Sequence, residues 1–279
     1  MPPFIFVSPA TRGLSLALTR HLLRTTTMPV FASHRYDVNG GKGDEEAKKS
    51  ILGPLLENNN DNSEELQKRL HLLRIDLLDE KSVKAASDQM RGVVESGEPS
   101  ESYLWRAFST AGMLYPERQP KDLDLAKIEE TFRVNLFSHL LLIKHFSGFL
   151  PKSLPGGAEG PIAKWVNITA RVGSIHDNKT VGGWYSYRSS KAALNQVVKT
   201  FDLHLKNNAK GKGGPGAMCV GVHPGTTKTD LSKGYWDSVP KDRLHTPEEA
   251  AQHVVDVVNG LKEDQRGRLW DWEGKEILP

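Results

Sequence analysis

In the stretch GGWYSYRSSKAALN, residues 182–195, two tyrosines precede a single lysine. Side chains meet along a helix only when they stand three or four positions apart. Lys191 is four past Tyr187 and six past Tyr185, so only Tyr187 shares its face. The small residues Ser189, Ser190, Ala192 and Ala193, followed by apolar Leu194, Val197, Val198 and Phe201, predict a buried helix with that pair at one end. The chemistry open to the pair is proton transfer. A free phenol has a pKa near ~10, too high for a base at neutral pH. An ammonium one turn away favours the phenolate, and a cofactor cation beside it adds to the effect. Bringing the phenol to about 7 takes about 4 kcal/mol, within reach of two close cations in a dry cleft. The same spacing also occurs in ordinary exposed Tyr–Lys contacts, so the rest of the chain has to decide.

The elements that would position the pair alternate between two kinds. Short β-rich runs fall at Phe4–Val7, Val30–Ser33, Leu72–Asp76, Tyr103–Phe108, Lys164–Thr169, Met218–His223 and Arg268–Trp272. Helical patterns lie near Leu14–Arg24, Ser82–Glu95, Ala126–Phe149, Tyr187–Lys206 and Pro247–Leu261. The last has Thr246 at its cap, Pro247 at its first position and Glu249 to close a capping box. This alternation predicts a doubly wound parallel sheet, a Rossmann-like three-layer α/β/α fold in one domain spanning residues 1–279. Asn39–Gln67, with GGKGDEEAKK and ENNNDNSEE, breaks the rhythm and reads as a solvated insertion, part helix and part loop, with no chemistry of its own.

Composition narrows the field. A net charge of +3 spread over 279 residues argues against a dedicated nucleic-acid binder. The lone cysteine, Cys219, excludes an internal disulfide framework and fits a reducing compartment, the cytoplasm. No apolar run approaches the ~18 residues of a membrane span, the amino terminus lacks a secretory pattern, and the histidines are scattered without metal-site spacing.

Other motifs fall in order around Tyr187 and Lys191: STAG at Ser109–Gly112, VNLFSHL with Asn135, WVNITARVGS at Trp165–Ser174, and VHPGTTKTDL at Val222–Leu231. Together they resemble the short-chain dehydrogenase/reductase family, in its carbonyl-reductase-like, C-factor-like branch, over nearly the whole chain. The resemblance implies a catalytic Tyr187 and Lys191. It implies an Asn135 that holds a water for proton relay, and a Pro224–Gly225–Thr226 turn with Thr229 closing over a nicotinamide. Asp76 and Leu77 would meet the adenine, and Ala111 and Gly112 would flank the cofactor. It also implies a homodimer or homotetramer through the Asn135 and Tyr187 helices. Asn135 has a structural alternative, as a hydrogen-bonded bridge between helix and strand.

Elementary chemistry agrees with parts of this. The turn SPATRGLS leads into a helix whose first amides, near Gly13 and Leu14, suit a pyrophosphate. Arg12 and Arg35 could bracket a 2′-phosphate, and no Asp or Glu ends the second strand to hold a free 2′-hydroxyl, which favours NADP(H) over NAD(H). Three departures stand against the family pattern. Pro9 and Ser15 occupy glycine positions of the phosphate turn. STAG replaces Asn-Asn-Ala-Gly. Ala170 stands where the catalytic serine belongs, leaving Ser174, Thr169 or neither to polarise the carbonyl; Ser174 is favoured. Trp184, Tyr185 and Trp236 are candidates for the substrate side. The reading is an NADP(H)-dependent reductase of a ketone or aldehyde, its reverse being alcohol oxidation. The rival is a catalytically weakened cofactor-sensing or scaffold protein on the same fold, and an isomerase or dehydratase stays open because fold does not fix reaction.

Overall fold

The computed structural model describes residues 3–36, 43–57, 63–96, 102–154, 161–179, 182–209 and 214–279. Strands form where alternate apolar side chains can serve two cores at once. In β1 (Phe4–Ser8), Phe4 and Phe6 enter one core while Ile5 and Val7 enter the other. The remaining strands of the main sheet are β2 (Val30–His34), β3 (Leu70–Arg74), β4 (Leu104–Ser109), β5 (Ala163–Ile168), β6 (Ala217–His223), β9 (Leu269–Asp271) and β10 (Glu276–Ile277). Their order is β10-β9-β6-β5-β4-β1-β2-β3, parallel throughout except for β10. A two-stranded parallel pair, β7 (Thr226–Thr227) and β8 (Leu244–His245), stands apart from it.

Helices α1 (Gly13–Thr25), α2 (Gly43–Glu57) and α8 (Pro247–Gly260) cover one face, where Leu18, Leu22, Ile51, Leu52, Val254 and Val258 meet Val166 and Val220. The other face is covered by α4 (Glu80–Glu95), α6 (Ser138–Phe146) and α7 (Tyr185–Asn207), which bring Met90, Phe146 and Phe201 onto Trp165 and Cys219. Burial raises the Cys219 thiol pKa, as an inert core cysteine requires. Among the described residues no helix is long and apolar enough to cross a membrane, and no cluster of metal-ligating side chains occurs.

Two expectations need correction. The polar stretch at 39–67 contains α2 and the start of α3 (Ser63–Arg69), and α2 is no solvated insert. Its Ala47, Ile51, Leu52 and Leu55 are buried as one stripe in the α1–α8 core. Residues 39–42 and 58–62 lie outside the described set. The single helix expected over Ala126–Phe149 is α5 (Leu125–Phe132), a π-helical turn at Arg133–Phe137, then α6 and a short 3₁₀ turn. Asn135 sits in the π turn, a distortion frequent at functional sites.

Because β1 leads outward to β2 and β4 leads the other way to β5, a crevice opens between their carboxyl ends. The turn after β1 and the segment after β4 line it.

Candidate active site

Helix α7 delivers Tyr187 and Lys191 to the crevice on one face. The Lys191 Nζ lies 6.0 Å from the centre of the Tyr187 ring and donates to the Ile168 carbonyl at 3.1 Å. Both side chains are buried, and the Tyr187 hydroxyl has no hydrogen-bond partner among the described residues. Desolvation dominates their acidity. It pushes the phenol up to about 12 and the ammonium down to about 7. The direction at Tyr187 is opposite to that expected from its spacing to Lys191. At this separation the cation does not outweigh the loss of water, so the phenol is protonated and able to donate.

Gly112 brings the segment after β4 against the pair: a Cβ there would lie 3.6 Å from Lys191 Nζ and 4.0 Å from Asn135 Oδ1. Asn135 itself is fully buried and works as a clamp. Its Oδ1 accepts from the Met113 amide at 2.8 Å, and its Nδ2 donates to the Met113 carbonyl at 2.9 Å and to Ser190 Oγ at 3.0 Å. The Ser190 hydroxyl in turn donates to the Tyr187 carbonyl at 2.8 Å. The bridging alternative therefore describes this side chain better than a water-holding role. One turn on, His139 holds the same segment from below, with Nε2 3.0 Å from the Ala111 carbonyl and Nδ1 2.7 Å from Ser109 Oγ. Burial and then the charge of Lys191 push its pKa down to about 4, so it is a neutral prop. The sequence signal was a lone histidine in an apolar helix, which reads as readily as core.

The Ser174 hydroxyl is engaged in two hydrogen bonds of its own. Its one proton is donated to the Leu278 carbonyl at 2.5 Å, and its oxygen accepts from the Asp177 amide at 3.0 Å. Ser174 thus ties its loop to the backbone of Leu278. Thr169 is committed as well, donating to Asn195 Oδ1 at 2.5 Å.

The turn after β1 retains the features a pyrophosphate needs. Gly13 opens α1 with φ +53°, no side chain caps the helix, and no acid lies in its first turn. Ser15 is accommodated by a hydrogen bond to Thr110, Oγ to Oγ1, at 2.7 Å. Leu14 packs on the α1–α8 core. Arg12 and Arg35 are exposed and form no ion pair among the described residues. At the carboxyl end of β3, Asp76 accepts from the Leu78 amide at 2.9 Å, while Leu77 packs inward on the α4–α6 side.

An acid does reach the second strand. Asp44, from the first turn of α2, places Oδ1 2.8 Å from Nε2 of His34, the last residue of β2. A strand-end search misses it because it arrives from a helix ten residues later.

Across the crevice lies the segment after β6. Pro224 is buried, and Gly225 turns the chain at φ +76°, where a Cβ would meet the His245 ring at 2.7 Å. Thr226 pairs with Leu244, and the Lys228 amide donates to the His245 carbonyl at 2.8 Å. Thr229 then descends onto the opposite wall, its Cγ2 3.1 Å from where a Gly13 Cβ would stand.

Trp184 stands at the mouth. Its φ of 52° is a left-handed conformation unusual for tryptophan, held by donation from its amide to the Glu117 carbonyl at 2.6 Å. Its ring meets Tyr187 edge-on at 6.5 Å and Tyr235 at 4.7 Å. The lid aromatic facing the site is thus Tyr235; Trp236 is tied back to Ser232 Oγ at 2.9 Å, and Tyr185 is exposed. Glu117, buried and unforeseen, accepts from the Ser186 amide at 2.8 Å and caps α7, where a carboxylate complements the helix dipole.

A parallel sheet with its crevice at such a switch point is the architecture of dinucleotide-binding proteins. The family model described as short chain dehydrogenase matches residues 45–239, and the chain belongs to that family of oxidoreductases. Among curated relatives, the C-signal protein of Myxococcus xanthus is 31% identical over 156 residues, 56% of this chain and 81% of that protein. A 1-hydroxy-2-glutathionyl-2-methyl-3-butene dehydrogenase of Rhodococcus sp. is 28% identical over 201 residues, 72% of this chain and 76% of the other. An NADPH-bound carbonyl reductase from chicken fatty liver superposes with a TM-score of 0.77 at 25% identity, covering 99% of this chain and 98% of that one.

Proposed function

We propose that this chain is an NADP(H)-dependent carbonyl reductase that reduces a ketone or aldehyde, or oxidises the alcohol in reverse. The observation that carries the reading is a buried Tyr187 whose hydroxyl has no hydrogen-bond partner among the described residues, on one helix face with Lys191, which in turn lies beside Gly112. When bound, the nicotinamide supplies or accepts the hydride. Tyr187 gives its proton to the carbonyl oxygen as general acid. The phenolate left behind is stabilised by Lys191, whose Nζ is aimed by the Ile168 carbonyl. Asn135 and His139 hold the Ala111–Met113 segment against the pair.

Gly13 and Leu14 amides would hold the pyrophosphate, and Arg12 and Arg35 the 2′-phosphate. Asp76 and Leu77 would take the adenine end, Ala111 and Gly112 the middle, and Thr226 and Thr229 the nicotinamide end. NADPH in the chicken neighbour supports the phosphate form. Asp44 at the tip of β2 pulls the other way. Ala170 has no hydroxyl, and Thr169 and Ser174 are committed elsewhere, so Tyr187 polarises the carbonyl alone. Loss of one such donor slows a reaction by on the order of 100-fold. Exposed Phe137, Leu140 and Leu203 on the helices that carry Asn135 and Tyr187 support a homodimer or homotetramer.

The test is to mix the protein with NADPH or NADH and a panel of quinones, diketones, aldehydes and ketones, following the nicotinamide absorbance. Consumption of NADPH by at least one carbonyl class supports the reading. Tight cofactor binding with no consumption across the panel favours the second reading, a sensing protein, for which the committed Ser174 is the motivating observation.

A further inference from the structure

Far from the crevice, at the amino-terminal ends of β4 and β5, two basic side chains lie side by side. Arg106 and Lys164 are register partners on adjacent parallel strands, and they are only 4% and 3% exposed. Register partners project to the same face of a sheet, roughly 4.8 Å apart at the backbone. Phe108 and Val166, two residues further along each strand, belong to the core beneath α1 and α8, which fixes that face. The guanidinium of Arg106 lies 3.7 Å from the centre of the Trp105 ring, and its Nη1 donates to the Trp105 and Ile162 carbonyls, both at 3.0 Å. Its Nε is sealed from solvent without a partner, and no hydrogen bond or ion pair joins Lys164 Nζ to another of the described residues. No carboxylate among the described residues pairs with either cation.

Burying one unpaired cation is costly, and placing a second beside it adds direct repulsion. Carbonyl oxygens at Arg106 Nη1 offset part of this for one partner and nothing for the other. An anion reaching Lys164 Nζ would neutralise the pair through charge-assisted hydrogen bonds, the strong kind. An ammonium and a guanidinium stand on neighbouring strands in register, a pair suited to an ion with several oxygens. We propose that Arg106 and Lys164 form a binding site for a small oxyanion of the phosphate or sulfate class, at the amino-terminal ends of β4 and β5 and opposite the dinucleotide crevice. The site clasps β4 to β5 and takes no part in hydride transfer.

The probe is inorganic phosphate, titrated against chloride at constant ionic strength while thermal stability and heat of binding are recorded. A saturable rise in Tm is expected in the wild-type protein, larger than with acetate at equal charge. Lys164→Met should weaken phosphate binding at least ~10-fold, the loss of one charge-assisted bond; Lys164→Arg should retain it. Arg12→Ala should leave the effect intact, which separates this site from the phosphate turn at α1. A flat phosphate titration in the wild type would overturn the proposal. So would an effect unchanged in Lys164→Met, or one abolished by Arg12→Ala. None of these outcomes bears on carbonyl reduction.

Discussion

Replacing Asn135 by alanine tests how the crevice is held together. The side chain is fully buried and makes three hydrogen bonds, two of them to the backbone of Met113. Its removal strands the Met113 N–H and C=O in a site that water does not readily enter. Each unsatisfied buried group costs roughly 1–3 kcal/mol, so the pair comes to about 2–6 kcal/mol. For a chain of this size about 1 kcal/mol moves Tm by roughly 2–4 °C, so a fall of about 4–24 °C is expected by differential scanning calorimetry. The same substitution frees Ser190, whose hydroxyl ties to the Tyr187 carbonyl. Turnover should therefore fall more steeply than cofactor affinity, measured by titration of intrinsic fluorescence. Asn135→Asp keeps an acceptor for the Met113 amide but sets a carboxylate against the Met113 carbonyl, and it should not rescue. A Tm within about 2 °C of wild type together with full turnover would refute the clamp.

Three further outcomes are expected. Lys191, pushed down to about 7 by burial, is charged below that pH and neutral above it; because the charged form favours the Tyr187 phenolate, kcat/KM for carbonyl reduction should fall as pH rises through about 7, up to about tenfold per unit. Asp44→Asn removes the acid at the tip of β2 and should tighten NADPH relative to NADH in direct binding titrations, with no change in Tm beyond about 1 °C because Asp44 is largely exposed. Ser174→Ala should lower stability by about 1 kcal/mol, the value of an ordinary buried hydrogen bond, while leaving turnover within about threefold of wild type.

The sheet and the shared helix face of Tyr187 and Lys191 were readable because they rest on local rules. Alternation of Phe4, Ile5, Phe6 and Val7 marks a two-sided strand, and a four-residue spacing places Tyr187 and Lys191 on one face whatever surrounds them. What composition hid was α2, whose acidic and lysine-rich surface masks a stripe of Ala47, Ile51, Leu52 and Leu55. Contacts between distant segments were out of reach. Nothing in the sequence tells that Ser174 spends its proton on Leu278, that Glu117 caps α7, or that Asp44 travels to His34. The sign of the Tyr187 shift was missed for a related reason. Spacing reports the nearby ammonium, but only the packed structure reports how much water has been removed from both groups.

The most direct measurement is NADPH-dependent hydride transfer by Tyr187→Phe, beside cofactor binding by the same variant. Removing only the hydroxyl should cut carbonyl reduction by about a thousandfold while leaving the NADPH dissociation constant within about twofold of wild type. A phenylalanine variant that reduces carbonyls at close to the wild-type rate would show that the proton comes from elsewhere.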